Sequence, residues 1–489
     1  PFLFSLFPIL FIFQYNIHEI PLQDTFWALF LSFIIALGLW VILRFFIDGK
    51  KSGLIVSLII MLFVIYGNLH TFILNSGSQF AFLGGNMIMG TIFFILLIVG
   101  IIYFVKTKRI LDNANSITNT IGLGMVGILV ISIAVYYYEN PVDYSTTYFS
   151  DIPSTANNVP IKPDIYLLIF DEYAGNISLK NDFKYDNTDF LKKLESTGFH
   201  VPKISYANYP NTGLSIPSTL NMHYLDFLTE ELGKDSADMR LPNEFRDNSL
   251  VMKVLKLYGY EITSFYGGVG APGNTNLVSE KLCSYGTVNT DLRKNLVLTY
   301  LPITYFNTVL LEVQQKEKLE CMFSTLSEIK GTEDAPVFAI AHFRLPHEPF
   351  IYDSAGNSVK TAQSDNQKEA YLEQLIYSNK KILELVNNIL ENTTRDPVII
   401  VISDHGYRAE IDWENPSNED YVSGFNILAA YHIPNEMDNL PETISLTNIF
   451  RIIFNSYLDT EFEILEDRQM WYTPQRPFDF TDVTDELPR

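Results

Sequence analysis

Pro397–Gly406 reads PVIIVISDHG. Its five consecutive apolar residues, Val398–Ile402, show no alternation, which is what a strand buried on both faces of a parallel sheet requires. The run stops abruptly at Ser403, Asp404, His405 and Gly406. A carboxylate and an imidazole at the C-terminal mouth of such a strand are costly unless they bind something. In open α/β sheets that mouth is where ligands sit. Asp with His suits Zn or Mn, although the four residues alone read equally well as an ordinary polar loop.

The same pattern recurs upstream. Asp164–Phe170 (DIYLLIF) is a second apolar strand, and it ends in Asp171-Glu172. Between and beyond these two strands, helical and strand-like spacing alternate. Helices are expected over 187–197, 248–257, 367–390 and 446–457. Strands are expected over 200–206, 260–266, 337–341 and 426–431. This alternation predicts an α/β domain around a mainly parallel sheet. Gly267–Asn276 (GGVGAPGNTN) reads as a loop; it lacks the Lys-Ser/Thr ending of a phosphate-binding loop.

Composition divides the chain near residue 140. Up to that point only six basic residues (Arg44, Lys50, Lys51, Lys106, Lys108, Arg109) and five acidic ones occur, although the whole chain has a net charge of −22. Five apolar segments, roughly 2–13, 25–43, 53–74, 85–105 and 118–137, read as a transmembrane bundle, since a spanning helix needs about 20 apolar residues. The first is short and begins at Pro1, so the true start of the chain is expected to lie upstream; a signal peptide is its rival reading. The basic residues fall between the second and third segments and between the fourth and fifth. The positive-inside rule puts those loops in the cytoplasm and everything after Tyr138 outside it. The expected organisation is a membrane domain over 1–138, a linker over 139–162 and an extracytoplasmic catalytic domain over 163–489. Cys283 and Cys321 are the only cysteines. A disulfide is permitted in that compartment, as are two free thiols. The acidic balance argues against nucleic acid as a partner.

Three further pieces carry chemistry. Asp171-Glu172 offers hard carboxylate ligands at a strand mouth. Thr212-Gly-Leu-Ser215-Ile-Pro-Ser218 opens a helix, where unpaired N–H groups attract anions. A threonine there is either a helix cap or a nucleophile that a nearby metal can activate. His347 lies between two prolines, and His342 comes five residues earlier. His347, held rigidly by its prolines, suits contact with a substrate or leaving group, and reads equally well as a structural loop histidine.

PDIYLLIFDE, the T-x-x-S-x-P-S block, PHEPF and VIIVISDHG stand in an order that resembles the sulfatase-like branch of the alkaline phosphatase superfamily, over roughly 160–435. With five spans before it, the chain looks like lipoteichoic acid synthases and lipid A phosphoethanolamine transferases. The resemblance implies an alkaline phosphatase-like fold in which Glu172, Thr212, Asp404 and His405 hold a divalent metal, Zn or Mn, as one ion or two, with Thr212 as nucleophile. Asp171 matches an additional acidic ligand, and His347 a histidine near the substrate. Two departures stand out. Thr212 and Ile216 replace the Cys/Ser and Arg of the sulfatase motif, which argues against sulfate ester hydrolysis. No histidine falls between His405 and His432, where many such transferases have one. Arg408 is the available positive charge, and His342, Arg408 and Ser215 are assigned to substrate binding.

The resemblance therefore implies an enzyme of a bacterial inner membrane. It would move phosphoglycerol or phosphoethanolamine from a phospholipid donor to a glycan or glycolipid acceptor through a phospho-threonine. The alternatives are a phosphodiesterase or phosphatase using water, and an inactive envelope-assembly scaffold.

Overall fold

The computed structural model describes the chain except residues 20–21, 76–85, 108–110, 143–147, 150–158, 160–161, 266–269, 274, 284–303, 333–334, 360–365, 394, 435, 437–439 and 489. Two compact units emerge: Pro1–Asp143 with Gly286–Leu311, and Tyr144–Tyr285 with Glu312–Arg489.

The first unit contains the helices Phe2–Tyr15, Phe26–Arg44, Gly49–Asn75, Asn86–Lys106 and Asp112–Glu139. Four of them are long and apolar enough to cross a membrane. Phe2–Tyr15, with 14 residues, would extend only about 21 Å of the roughly 30 Å hydrocarbon layer, so it is shorter than the first of the five expected spans requires. It packs on its neighbours through Phe4, Leu10 and Phe13. Many large apolar side chains on the longer helices, among them Phe30, Ile35, Phe94 and Ile128, stay exposed. That is the surface a lipid-facing helix needs and a soluble one avoids. Of the basic residues used to orient the bundle, Lys108 and Arg109 lie outside the described residues.

The second unit is built on a six-stranded sheet. Its strands are β1 (Ile165–Phe170), β2 (Glu261–Phe265), β3 (Glu280–Leu282), β4 (Val337–Phe343), β5 (Val398–Ile402) and β6 (Ala429–His432). The order is β3-β2-β4-β1-β5-β6, and only β6 runs antiparallel, against β5. Residues of alternating parity separate cleanly. Ile165, Leu167, Ile169, Ile400 and Ile402 face one core layer, packed by helices Leu250–Leu257 and Ile449–Tyr457. Tyr166, Leu168, Phe170, Ile399 and Val401 face the other, packed by helix Gln367–Asn392. Both faces are dry, which is why β1, β4 and β5 contain almost no polar residue.

Register brings the three central strands to a common end. Ile169 pairs with His342 on one side and with Ile402 on the other. Asp171-Glu172, His342 and Ser403-Asp404-His405 therefore share one edge of the sheet.

The expected strand over 200–206 does not form. His200 and Tyr206 make single bridges, to Tyr431 and Asn426, and Pro202 between them has no N–H to continue a ladder. Residues past 460, which the sequence left without structure, form an antiparallel hairpin, β7 (Met470–Thr473) and β8 (Arg476–Asp482). Cys283 and Cys321 form a disulfide, resolving the open choice between bridge and free thiols. Residues 267–269 and 274 of the expected glycine-rich loop lie outside the described residues.

The disulfide closes a sequence separation of 38 residues, a loop whose closure is worth about 3–4 kcal/mol in a chain-entropy account. The paired substitution Cys283→Ser/Cys321→Ser in the full chain should lower unfolding stability by that order, read from denaturation in detergent. An unchanged midpoint would show that the bridge adds nothing to the fold.

Candidate metal and phosphoryl-transfer site

The site forms where β4, β1 and β5 end. Asp404 and His405 are completely buried, and Asp171, Glu172 and His342 nearly so. Asp171, His342 and Asp404 each offer a ligand atom within 4.8 Å of the others. His405 Nε2 lies 3.6 Å from both Asp171 Oδ1 and Asp404 Oδ2, and His342 Nε2 lies 3.5 Å from Asp404 Oδ2. Asp171 Oδ1, His342 Nε2 and His405 Nε2 are all buried without a hydrogen-bond partner.

The tautomer of His405 explains why this matters. Its Nδ1 sits 2.8 Å from the Gly406 carbonyl oxygen, which can only accept, so the ring proton belongs on Nδ1 and Nε2 keeps its lone pair. Burial, reinforced by the nearby Arg408 guanidinium, pulls His405 down to about 4. A neutral imidazole thus aims a lone pair at two carboxylates. Buried acceptors facing one another are unfavourable unless a cation lies between them. A second-sphere carbonyl that fixes the ring in this way is the usual support of a metal-ligating histidine. Carboxylate oxygens and imidazole nitrogens form a donor set suited to Zn or Mn, so the residues present fit a divalent metal.

Burial opposes ionisation of Asp404, but His405, His342 and the Thr212 hydroxyl outweigh it and hold the carboxyl well below the usual carboxylate range. Burial also works against protonation of His342, yet Asp404 and Asp171 raise it above the ordinary imidazole value.

Thr212 is the first residue of helix Thr212–Asn221. Asn211 caps that helix, accepting from the Gly213 N–H at 2.8 Å. The threonine hydroxyl is therefore released from capping and donates to Asp404 Oδ2 at 2.5 Å. The turn after β5 is tied to the turn after β1: Ser403 Oγ accepts from Tyr173 N and donates to the His405 carbonyl. A Cβ on Gly406 would stand 2.0 Å from the Ser423 carbonyl oxygen, so only glycine allows the turn to pass.

Asp171 and Glu172 separate. Asp171 joins the cluster, whereas the Glu172 carboxylate meets Arg408 and His347. Its Oε1 accepts from the Arg408 N–H at 3.0 Å, and its Oε2 lies 3.7 Å from His347 Nε2. The backbone reason is Glu172 itself, at φ 61°, a left-handed conformation uncommon for a non-glycine residue. Burial pushes Glu172 up, against the pull of His347 and Arg408. His342, expected to touch substrate, has its ring nitrogen in the group with Asp171 and Asp404, whereas no Glu172 oxygen, expected among the metal ligands, belongs to that group. The signal for His342 was present: it follows an apolar run at the end of a buried strand, as Asp404 does.

His347 is pinned by Gln374, whose Nε2 donates to the carbonyls of Pro346, His347 and Pro349. Ser215, expected at the substrate, is 1% exposed, and no hydrogen bond links its hydroxyl to the cluster among the described residues.

The family model described as Sulfatase matches residues 163–440, more than half of the chain. The chain belongs to the sulfatase family. No curated protein matches it. Among solved structures, the C-terminal periplasmic domain of EptC from Escherichia coli, in complex with Zn, is 14% identical over 69% of this chain and 98% of that one, with a TM-score of 0.43. The corresponding domain of phosphoethanolamine transferase EptC from Campylobacter jejuni is 16% identical over 64% and 94%, TM-score 0.39. The integral membrane lipooligosaccharide phosphoethanolamine transferase A (EptA) from Neisseria meningitidis is 15% identical over 88% and 87%, TM-score 0.36. Likeness at this distance says nothing of what this sulfatase-family chain acts on.

Gly270 covers the His342 ring: a Cβ there would lie 2.3 Å from His342 Cγ. Its loop is anchored by Gly273 N to Asp247 Oδ1 and by Ser264 Oγ to the Pro272 carbonyl. Gly270→Ala should therefore displace the imidazole and cost about 1–3 kcal/mol from overpacking. Thermal unfolding measures the cost and a crystal structure of the variant the displacement; an unmoved ring would contradict the close approach.

Proposed function

We propose that this chain is a membrane-anchored, metal-dependent phosphoryl-group transferase acting through a phospho-threonine on Thr212. Asp171, His342, Asp404 and His405 would hold one divalent metal, Zn or Mn. When bound, the metal would lower the pKa of the Thr212 hydroxyl and neutralise charge on the phosphoryl oxygens. The observation that carries the reading is the Thr212 hydroxyl, free of capping, bonded at 2.5 Å to an Asp404 oxygen that also faces two unpaired imidazole nitrogens.

The residues then divide the work. Asp404 orients the Thr212 hydroxyl. Thr212 Oγ1 bonds to the phosphorus of a phospholipid diester, and the bond from phosphorus to the diacylglycerol oxygen breaks. The proton given up by Thr212 is balanced by the one diacylglycerol takes up, which His347 would deliver. In the second half, a hydroxyl of a glycan or glycolipid attacks the same phosphorus, the bond to Oγ1 breaks, and Thr212 recovers its proton. The group moved would be phosphoglycerol or phosphoethanolamine. Positioning and charge, rather than covalent chemistry by many groups, dominate reactions of this class. The apolar helices support access to a lipid donor. The disulfide and the basic residues at 44, 50 and 51 support a catalytic unit outside the cytoplasm of a bacterial inner membrane.

Two measurements test this reading. Full-length protein supplied with headgroup-labelled phospholipid should pass label to surface glycan or glycolipid, with a trapped adduct on Thr212 by mass spectrometry. Thr212→Ala should abolish the adduct and slow transfer by roughly a thousandfold or more. Labelled free headgroup phosphate as sole product would make the chain a hydrolase; no adduct with any donor, and no metal, would favour the scaffold reading.

Metal content separates the ligand assignments. His342→Ala should weaken Zn retention at least about tenfold, measured by chelator competition, whereas Glu172→Gln should leave it near the unsubstituted value. The opposite result would return Glu172 to the ligand set.

A further inference from the structure

Residues beyond 440 lie outside the family match, yet they hold both loops that carry the chemistry. Thr212 is reached through the loop 207–211 (ANYPN). Among the described residues, the backbone of 208–210 makes one hydrogen bond, from Met470 N to the Asn208 carbonyl at 2.9 Å. The buried Asn208 side chain is held from the same direction. Its Nδ2 donates to Ser445 Oγ at 2.9 Å and to the Arg468 carbonyl at 2.8 Å, and its Oδ1 accepts from Thr447 N at 3.2 Å. Each of these partners lies past residue 440. Phe480, on β8, adds a ring contact to Tyr209 at 5.7 Å.

β7 holds the other loop. Trp471 stacks on Trp413, with ring centroids 4.9 Å apart and planes at 22°, and Tyr421 meets it edge-on at 5.0 Å. Trp413 belongs to the loop that leaves β5 after Asp404 and His405. Both loops and the hairpin converge on Gly424, where a Cβ would lie 3.2 Å from Ile411, 3.4 Å from Trp471 and 3.5 Å from Pro210. The Gly424 carbonyl accepts from Gly406 N at 2.8 Å, so this junction is one hydrogen bond away from the Asp404-His405-Gly406 turn.

We infer that the β7–β8 hairpin is a positioning element for the reaction, with Asn208 and Trp471 as positioning residues that fix where Thr212 stands relative to Asp404. Sheet register places Asp404 at the end of β5, but it does not extend to helix Thr212–Asn221, which is entered from a loop. Something outside the sheet must set that loop, and the hairpin grips it together with the loop after β5. Attack on phosphorus requires the hydroxyl in line, and a misplacement of about 1 Å can cost on the order of a hundredfold in rate. Among the described residues, neither the Asn208 nor the Trp471 side chain bonds to Thr212 or belongs to the metal cluster, so each would act through the loop it holds. The inference rests on the phosphoryl-transfer reading and gives a role in it to residues beyond the family match.

The test uses the full chain in detergent, loaded with Zn and supplied with headgroup-labelled phosphatidylethanolamine or phosphatidylglycerol in mixed micelles. The rate at which label reaches Thr212, its dependence on donor concentration, and Zn per chain are read for the unsubstituted protein, Asn208→Ala, Trp471→Ala and Trp471→Phe. Melting curves identify the folded variants. The expected result is adduct formation slowed about 10- to 100-fold at saturating donor in both alanine variants, with the half-saturating donor concentration and Zn content unchanged. Trp471→Phe keeps a ring against Trp413, so it should recover most of the rate while staying below the unsubstituted protein, and it carries the test if the alanine variants do not fold. Full rate in the folded variants, or slowing that comes with lost Zn or a raised donor requirement, would overturn the positioning role while leaving phosphoryl transfer standing. No adduct on the Zn-loaded unsubstituted protein would overturn both.

Discussion

One carboxylate oxygen organises the second unit. Asp404 Oδ2 receives the Thr212 hydroxyl at 2.5 Å and lies 3.5 and 3.6 Å from the Nε2 atoms of His342 and His405. Asp171 Oδ1 stands 3.6 Å from the second of these. Asp171 Oδ1, Asp404 Oδ2 and the lone pair on His405 Nε2, this close and this buried, repel one another in a medium of low dielectric. Something must hold them together against that repulsion. The protein side of the answer is the sheet: β1 is flanked by β4 and β5 in parallel register, so three chain segments distant in sequence are brought to one edge by backbone hydrogen bonds alone.

The loops then set direction, which strands cannot do. Successive residues of a strand point to opposite faces, so an adjacent pair such as Asp171 and Glu172 cannot both enter one cluster from extended backbone. The chain leaves extended geometry at Glu172, which is left-handed, and its carboxylate meets Arg408 and His347. Around that turn the supporting bonds are dense. The Tyr371 hydroxyl donates to the Glu172 carbonyl, Glu172 N donates to Asp404 Oδ1, and His347 N reaches the Asp171 carbonyl. Backbone held in a sparsely populated region survives only where its surroundings over-determine it, and functional sites are where such conformations gather.

Apolar runs made the fold legible from the sequence. Asp164–Phe170 and Pro397–Ile402 announce fully buried strands, and the change of composition near residue 140 announces apolar helices of a different kind. The meeting of Asp171 with Asp404 and His405 follows the same rule about strand mouths, whereas the freedom of the Thr212 hydroxyl depends on Asn211 taking the cap. What the sequence could not show was direction. Nothing in FDEY says which acid turns inward, because the deciding fact is one dihedral angle. The role of His342 depends on register between β1 and β4, a tertiary property. The strand expected at 200–206 is interrupted by Pro202, which has no N–H to continue a ladder, and in the β7–β8 hairpin aromatic and acidic residues mix without a clean period.

Charge balance joins these points. If one divalent ion occupies the cluster, its two positive charges match the carboxylates of Asp171 and Asp404, while both imidazoles are neutral ligands. Glu172, directed outward, is then matched by Arg408. Each anion thereby has a cation of its own, and the site adds no net charge before substrate arrives. On the proposed function, a phosphate ester entering beside Thr212 would bring negative charge toward the bound metal and the partly exposed Arg408 side chain. Moving Glu172 into the metal cluster would add a third carboxylate around one ion. With that ion bound, the separation of the two neighbouring acids would leave the centre neutral at rest and attractive to an anion.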